Sequence, residues 1–224
     1  GDRVAAQVRT SAEALAVYAA CVQAGVIFLP LNTAYTATEI SYFVENAEAK
    51  LLLSDPAAEA ALAPVAKAAG ATLMTLGADG DGSFADASAG QPETFKTAER
   101  SAEDLAAFLY TSGTTGRSKG AMLTQSNLLS NAEVLKDYWR FSADDVLLHA
   151  LPIFHTHGLF VATNIIALVG GSMIFLPKFS QDEVIARLPQ ATSMMGVPTF
   201  YTRLLGEPRF TREATAHMRL STSG

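Results

Sequence analysis

Cysteine is almost missing from this chain. Cys21 stands alone among 224 residues, so no intrachain disulfide can form. A disulfide-stapled scaffold is thereby excluded, and a reducing compartment, the cytoplasm, is expected. Cys21 falls in the apolar pattern of a helix and reads as a small core residue, a reactive thiol being the alternative. An excess of cations is missing too: 16 Lys and Arg stand against 22 Asp and Glu, for a net charge of −6 and a pI near 5.2. That balance argues against a nucleic-acid binder, which needs a basic face. Charge of either sign vanishes between Asp145 and Lys178, a length that would allow a membrane span. Yet Pro152, His155, His157, Asn164 and the Gly170-Gly171 pair break it into a strand at 146–151, a helix at 159–169 and a strand at 172–176. It reads as buried core, and no span is expected. Gly1-Asp2-Arg3 leads straight into a strand-like run, so no signal-peptide pattern is seen.

What is present alternates. Three Ser/Thr-x-x-Glu pairs, Thr10 with Glu13, Thr36 with Glu39 and Ser180 with Glu183, predict capping boxes that start helices. After the first, Leu15, Tyr18, Ala19 and Val22 recur at helical spacing until Gly25; after the second, Ile40, Phe43, Val44 and Ala47 do the same. Apolar runs at 4–8, 26–31, 51–54, 71–76 and 105–110 read as strands between helices, and a last strand is expected at 218–223. The fold class is α/β, layered, with mainly parallel sheets and flanking helices. Residues 77–92 shift to Gly, Asp, Ala and Ser with no apolar period and read as a loop or linker. They mark either a division into two subdomains or a surface excursion within one domain.

The densest chemistry lies in YTSGTTGRSKG, residues 110–120. Gly113, Gly116 and Gly120 let backbone N–H groups approach an anion; Thr111, Ser112, Thr114, Thr115 and Ser118 add neutral donors, and Arg117 and Lys119 add charge. Such a loop suits phosphate. A strand before it and a helix opening near Ser126 give the strand, glycine-rich turn, helix order of many nucleotide sites. The Walker pattern fails: counted from Gly113, its second glycine falls on Ser118, and Lys119 is followed by Gly120 where a hydroxyl should be.

The segment closely resembles the phosphate-loop signature of the adenylate-forming superfamily, which includes the acyl-CoA synthetases. Only Ser118, where that pattern has proline, departs from it. LPIFHTHG, residues 151–158, resembles the family's Pro-x-x-His motif, with His155 at the position that borders the acyl pocket and His157 a candidate pocket residue. Their alternative is a core histidine bonded to a backbone carbonyl. A structural metal on the two histidines is not expected, because no third ligand lies near. GVPTFYTRLL resembles the family's Val-Pro-Thr stretch leading into a pocket-lining helix. Arg203 there could hold the second carboxylate of a dicarboxylic acid bidentately, or could cover apolar surface on an exposed helix face. With FHTHG and GSMIFLPKF, these segments look most like malonyl-CoA synthetases.

The resemblance implies a part of the large N-terminal AMP-binding domain spanning residues 1–224. It also implies ATP and Mg²⁺, coenzyme A as co-substrate, and a small carboxylate, malonate or methylmalonate, as substrate. Thr111, Ser112, Gly113, Thr114, Thr115, Gly116 and Lys119 would bind ATP phosphates. Lys119 and His155 would be catalytic, and His155, His157 and Arg203 would contact substrate. No Tyr-Gly-x-Thr-Glu segment, ribose-binding aspartate, hinge or C-terminal domain with its catalytic lysine occurs, so a missing C-terminal domain is the expected partner and the chain alone should not complete the reaction. Oligomeric state is not legible. Another short- or medium-chain acyl-CoA synthetase, an ATP-hydrolysing or phosphoryl-transfer enzyme that releases ADP, a non-catalytic nucleotide-binding module and, more remotely, a Ser112/Lys119 hydrolase are the other readings.

Overall fold

In the computed structural model, residues 1–111 and 118–224 are described. The chain forms two compact units, Gly1–Asn127 and Leu128–Gly224. Residues 77–92 lie inside the first.

In the first unit β1 (Arg3–Gln7), β2 (Ile27–Pro30), β3 (Leu51–Ser54), β4 (Thr72–Thr75), β5 (Leu105–Thr111) and β6 (Lys119–Thr124) build one sheet in the order β4-β3-β1-β2-β5-β6. All neighbours run parallel except β5 and β6, which are antiparallel. Parallel strands are covered on both faces, and the sequence shows it: every residue of β2 is buried. The crossovers are α1 (Ala12–Ala24), α2 (Ala37–Asn46) and α3 (Glu59–Ala68). Leu29, Ile40, Phe43, Val44 and Leu52 meet in one core, each such side chain contributing roughly 1.5–3 kcal/mol by leaving water.

Helix starts refine the capping expectations. The box at Thr36 and Glu39 is complete, each side chain bonded to the other's backbone N–H. Glu39's carboxyl is held below its ordinary range by the bond from the Thr36 backbone N–H first and by that from the Thr36 hydroxyl second. In α1 the cap is Ser11, one residue after Thr10, accepting from the Ala14 N–H at 3.2 Å. Ser180 does precede α7 (Gln181–Arg187), but its side chain makes no capping bond. Gly25 ends α1 in the left-handed region, as its position after the periodic residues predicts.

The stretch expected to be structureless holds a short helix, α4 (Ser83–Ser88). Ser83 exchanges hydrogen bonds with Thr75, Thr75 N–H to Ser83 Oγ at 2.9 Å and Ser83 N–H to Thr75 Oγ1 at 3.0 Å. These bonds, not an apolar face, fix the helix, so hydrophobic periodicity carried no sign of it.

The second unit takes in most of α5 (Gln125–Trp139), which crosses the division. It continues with β7 (Val146–His149), a π-helical segment (His157–Thr163), α6 (Asn164–Val169), β8 (Ser172–Phe175), α7, β9 (Ser193–Gly196), α8 (Pro198–Leu205) and β10 (Leu220–Ser223). The sheet order is β10-β9-β7-β8, all parallel. The charge-free stretch supplies its centre, with Leu147, Leu148, Leu159 and Ile165 fully buried. Among the described residues no helix is long and apolar enough to cross a membrane.

One charged group is buried at the start of β7. Asp145, 3% exposed, accepts from Arg219 Nε at 2.7 Å and Nη2 at 2.6 Å, from Thr192 Oγ1 at 2.7 Å and from the Ser142 N–H at 2.9 Å. Burial pushes its pKa up, but the bonds from Arg219, Thr192 and Ser142 together outweigh it, and the net shift is downward. Arg219 also donates to the Trp139 carbonyl at 2.9 Å and lies over the Phe141 ring, so the entrance to β10 is tied to β7, β9 and the end of α5.

Candidate active site

In the first unit two of the phosphate-loop candidates, Thr111 and Lys119, end β5 and begin β6, which pair antiparallel. Strand β6 stands between Ser118 and α5, so a strand precedes the helix, which departs from the strand, turn, helix order read from the sequence. Ser112, Gly113, Thr114, Thr115 and Gly116 lie outside the described residues. Thr111 and Lys119 are brought together as cross-strand partners, with Tyr110 opposite Gly120 one step below. Both Thr111 and Lys119 are exposed, and the Thr111 hydroxyl donates a long bond, 3.5 Å, to the Lys119 carbonyl across the pair. Tyr110 donates to Asn46 Oδ1 at 2.6 Å, and burial, then Tyr42, pushes its pKa up to about 12, so it remains a neutral donor. A Cβ on Gly120 would come within 3.3 Å of the Tyr110 ring; glycine here keeps that ring seated.

In the second unit the histidines follow the carboxyl end of β7, where open α/β sheets place ligands. His155 is exposed, its ring tilted against Phe154 with centroids 4.7 Å apart, and its carbonyl accepts from the Leu159 N–H at 3.0 Å. His157, half-buried, opens the π-helical segment, and burial lowers its pKa. Its ring packs against the chain beyond β10, only 3.3 Å from where a Gly224 side chain would begin. Neither histidine is the carbonyl-bonded core histidine considered from the sequence; that role belongs to His149.

His149 is the residue that sequence reading passed over. It is 1% exposed, and its Nε2 lies 2.8 Å from the Gly158 carbonyl, which also accepts from Thr163 Oγ1 at 3.0 Å. Burial first, and the neighbouring His157, lower its pKa to about 4 against the opposing backbone bonds, so the ring is neutral and donates through Nε2. Gly158 is needed there: a Cβ would sit 2.3 Å from the Pro152 carbonyl oxygen. A π-helical turn is a common sign of a functional segment, and this one is pinned by His149 and Thr163. Its only signal in the sequence was one polar residue ending an apolar strand.

Pro198 opens α8 at the first helical turn as expected. Arg203 lies exposed on that helix, its carbonyl accepting from Gln181 Nε2 at 3.0 Å. Tyr201, two residues earlier, points its hydroxyl at the carbonyls of Thr222, at 2.6 Å, and Met194, at 3.2 Å, fastening α8 to β9 and β10. The structure thus pairs Thr111 with Lys119 and sets His157 beside His149, while Arg203 stands apart on the surface of α8.

The parallel sheets with their flanking helices are those of an adenylate-forming fold: residues 1–224 match the family model for AMP-binding enzymes, and the chain belongs to that family. In particular, it is similar to MatB from Rhodopseudomonas palustris. The apo structure is 59% identical and the ATP-bound structure 60% identical, each with a TM-score of 0.97, covering 100% of this chain and 44% of that one. The mitochondrial malonate–CoA ligase ACSF3 of Bos taurus is 32% identical over 197 residues, 85% of this chain and 33% of the relative. The oxalate–CoA ligase of Arabidopsis thaliana is 33% identical over 215 residues, 92% of this chain and 41% of the relative. The chain therefore spans less than half the length of these proteins.

Proposed function

We propose that this chain is the ATP-gripping part of an AMP-forming acid–thiol ligase that activates a small dicarboxylate, malonate or methylmalonate. The observation that carries the reading is the pairing of Thr111 with Lys119 at the foot of a segment rich in Gly, Ser and Thr. An ATP-bound neighbour and relatives named as malonate– and oxalate–CoA ligases support it.

In the first step a substrate carboxylate oxygen attacks the α-phosphorus of ATP, the bond to the bridging oxygen breaks, and pyrophosphate leaves. Thr111, Ser112, Thr114, Thr115 and the backbone at Gly113 and Gly116 hold the outgoing phosphates, and Lys119 offsets the charge that builds on them. ATP enters as its Mg²⁺ complex. Among the described residues no group of three or more His, Cys, Asp or Glu offers the ion a site of its own. In the second step the thiol of coenzyme A attacks the acyl carbon and AMP departs. His155 borders the reacting carboxylate and His157 lines the acyl pocket. Arg203, a planar donor that is always charged, pairs with the second carboxylate, which must stay ionised while the first reacts. A further segment, the small C-terminal domain, completes the site. The lone, buried Cys21 suits work in the cytoplasm.

The test is exchange of labelled pyrophosphate into ATP by the full-length protein, with malonate, methylmalonate, acetate, propionate and octanoate compared. Exchange strongest with malonate or methylmalonate is expected. A maximum with acetate, propionate or octanoate would replace the dicarboxylate reading by a simple acyl-CoA synthetase. No exchange with any acid would leave a non-catalytic nucleotide-binding module.

A further inference from the structure

The hairpin that carries Thr111 and Lys119 is gripped by one helix face. Tyr42 and Asn46 are four residues apart on α2 and so lie on the same side of it. Tyr42 donates its hydroxyl to the Ser118 carbonyl at 3.0 Å, and Asn46 accepts from the Tyr110 hydroxyl at 2.6 Å. Ser118 leads into β6 and Tyr110 belongs to β5, so one helix holds both arms of the hairpin next to the Thr111–Lys119 pair. Aromatic contacts reinforce the grip: the Tyr110 ring centroid is 4.5 Å from that of Phe43 and 6.1 Å from that of Tyr42. The helix itself is fixed by its capping box and by the burial of Ile40, Phe43 and Val44.

We propose that Tyr42 and Asn46 are positioning residues for Lys119 and Thr111, setting the direction from which the lysine reaches the departing pyrophosphate. A lysine ammonium rides on a flexible four-carbon stem, and its aim is no better defined than the backbone that bears it. At residue 118 this chain has serine where the resembling pattern has proline, so φ is not locked by a ring. The Tyr42 bond falls on the carbonyl of the peptide unit joining Ser118 to Lys119, across the Ser118 Cα from the torsion a proline would lock, and so restrains the same residue from its other side. The inference rests on the phosphate role proposed for Lys119.

Pyrophosphate exchange with malonate, measured on the full-length protein alongside its thermal midpoint, tests it with Y42F, Y110F, S118P and the double variant Y42F/S118P. Phenylalanine keeps each ring and removes only the hydroxyl. Loss of one hydrogen bond that aims a reacting group is expected to lower kcat/KM for ATP about five- to tenfold in Y42F, with KM for malonate unchanged. Y110F, which frees the other arm, should move the same parameter in the same direction. Proline at 118 should restore most of the loss in the double variant, because it stiffens the joint by another route. Wild-type ATP parameters in both Y42F and Y110F would overturn the proposal, as would a loss that follows the thermal midpoint and is not recovered by S118P. If the unaltered protein exchanges with no acid, the phosphate role of Lys119 falls and takes this inference with it, an outcome the variants cannot mimic.

Discussion

Lys119 and Arg203 are both exposed, so their substitution tests chemistry without disturbing a core. Lys119→Ala removes the charge proposed to face the departing pyrophosphate, and the exchange rate should drop on the order of a hundredfold or more while the thermal midpoint holds. Arg203→Ala should reduce kcat/KM for malonate roughly tenfold to a hundredfold, the worth of charged hydrogen bonds, and leave propionate nearly untouched. Equal losses on the two acids would remove the second-carboxylate role. Lys119, His155 and Arg203 stood out in the sequence because a charged or titratable group between glycines, after a strand or on an amphipathic helix is conspicuous by type. His149 did not, since its meaning comes from the Gly158 carbonyl, brought to its ring by the turn after β7. Tyr42 was hidden in the same way: its ring belongs to a helix pattern, and only the fold brings its hydroxyl to Ser118.

Helices and strands were legible where burial set their pattern. The strands expected at 51–54 and 105–110 and the helix stopped by Gly25 stand almost as read, because apolar periodicity reports the side chains that face the core. Strand β6 escaped because its first four residues are exposed and its place is fixed by backbone pairing with β5, which leaves no trace in hydropathy. The three Ser/Thr-x-x-Glu pairs show the limit of a local motif: one closes fully, one shifts by a residue, one makes no side-chain bond. The difference is measurable. Thr36→Ala should destabilise the protein by about 1 kcal/mol, whereas Ser180→Ala should cost no more than a few tenths, read from urea midpoints. A matching loss at Ser180 would mean that its hydroxyl caps α7 in solution.

Buried titratable groups make the folded state sensitive to acid. His149 titrates at about 4 when folded, below the ordinary histidine value, so the native ring stays neutral. As pH falls from about 6.5 toward 4, the unfolded chain gains a proton that the folded one refuses, and stability should decline, by up to on the order of 3 kcal/mol. Below that range Asp145 continues the decline, since its lowered pKa means that protonation undoes the bonds from Arg219 and Thr192. Urea midpoints at pH 7 and pH 4.5 should therefore differ strongly for the native sequence and much less for His149→Gln, which keeps a donor near Gly158 but does not titrate. An unchanged difference in the variant would assign the acid sensitivity to other groups.

The order of strands in the first sheet has a consequence for how the protein is made. Phe28 of β2 pairs with Ala107 of β5, a partner that leaves the ribosome roughly 80 residues later. At about 5–20 residues per second, the nascent chain holds one apolar strand edge open for roughly 4–16 s before its neighbour is synthesised. All four residues of that strand end up buried, so an unpaired edge of this kind is where chaperones would bind, or where neighbouring chains on a polysome would associate if none did.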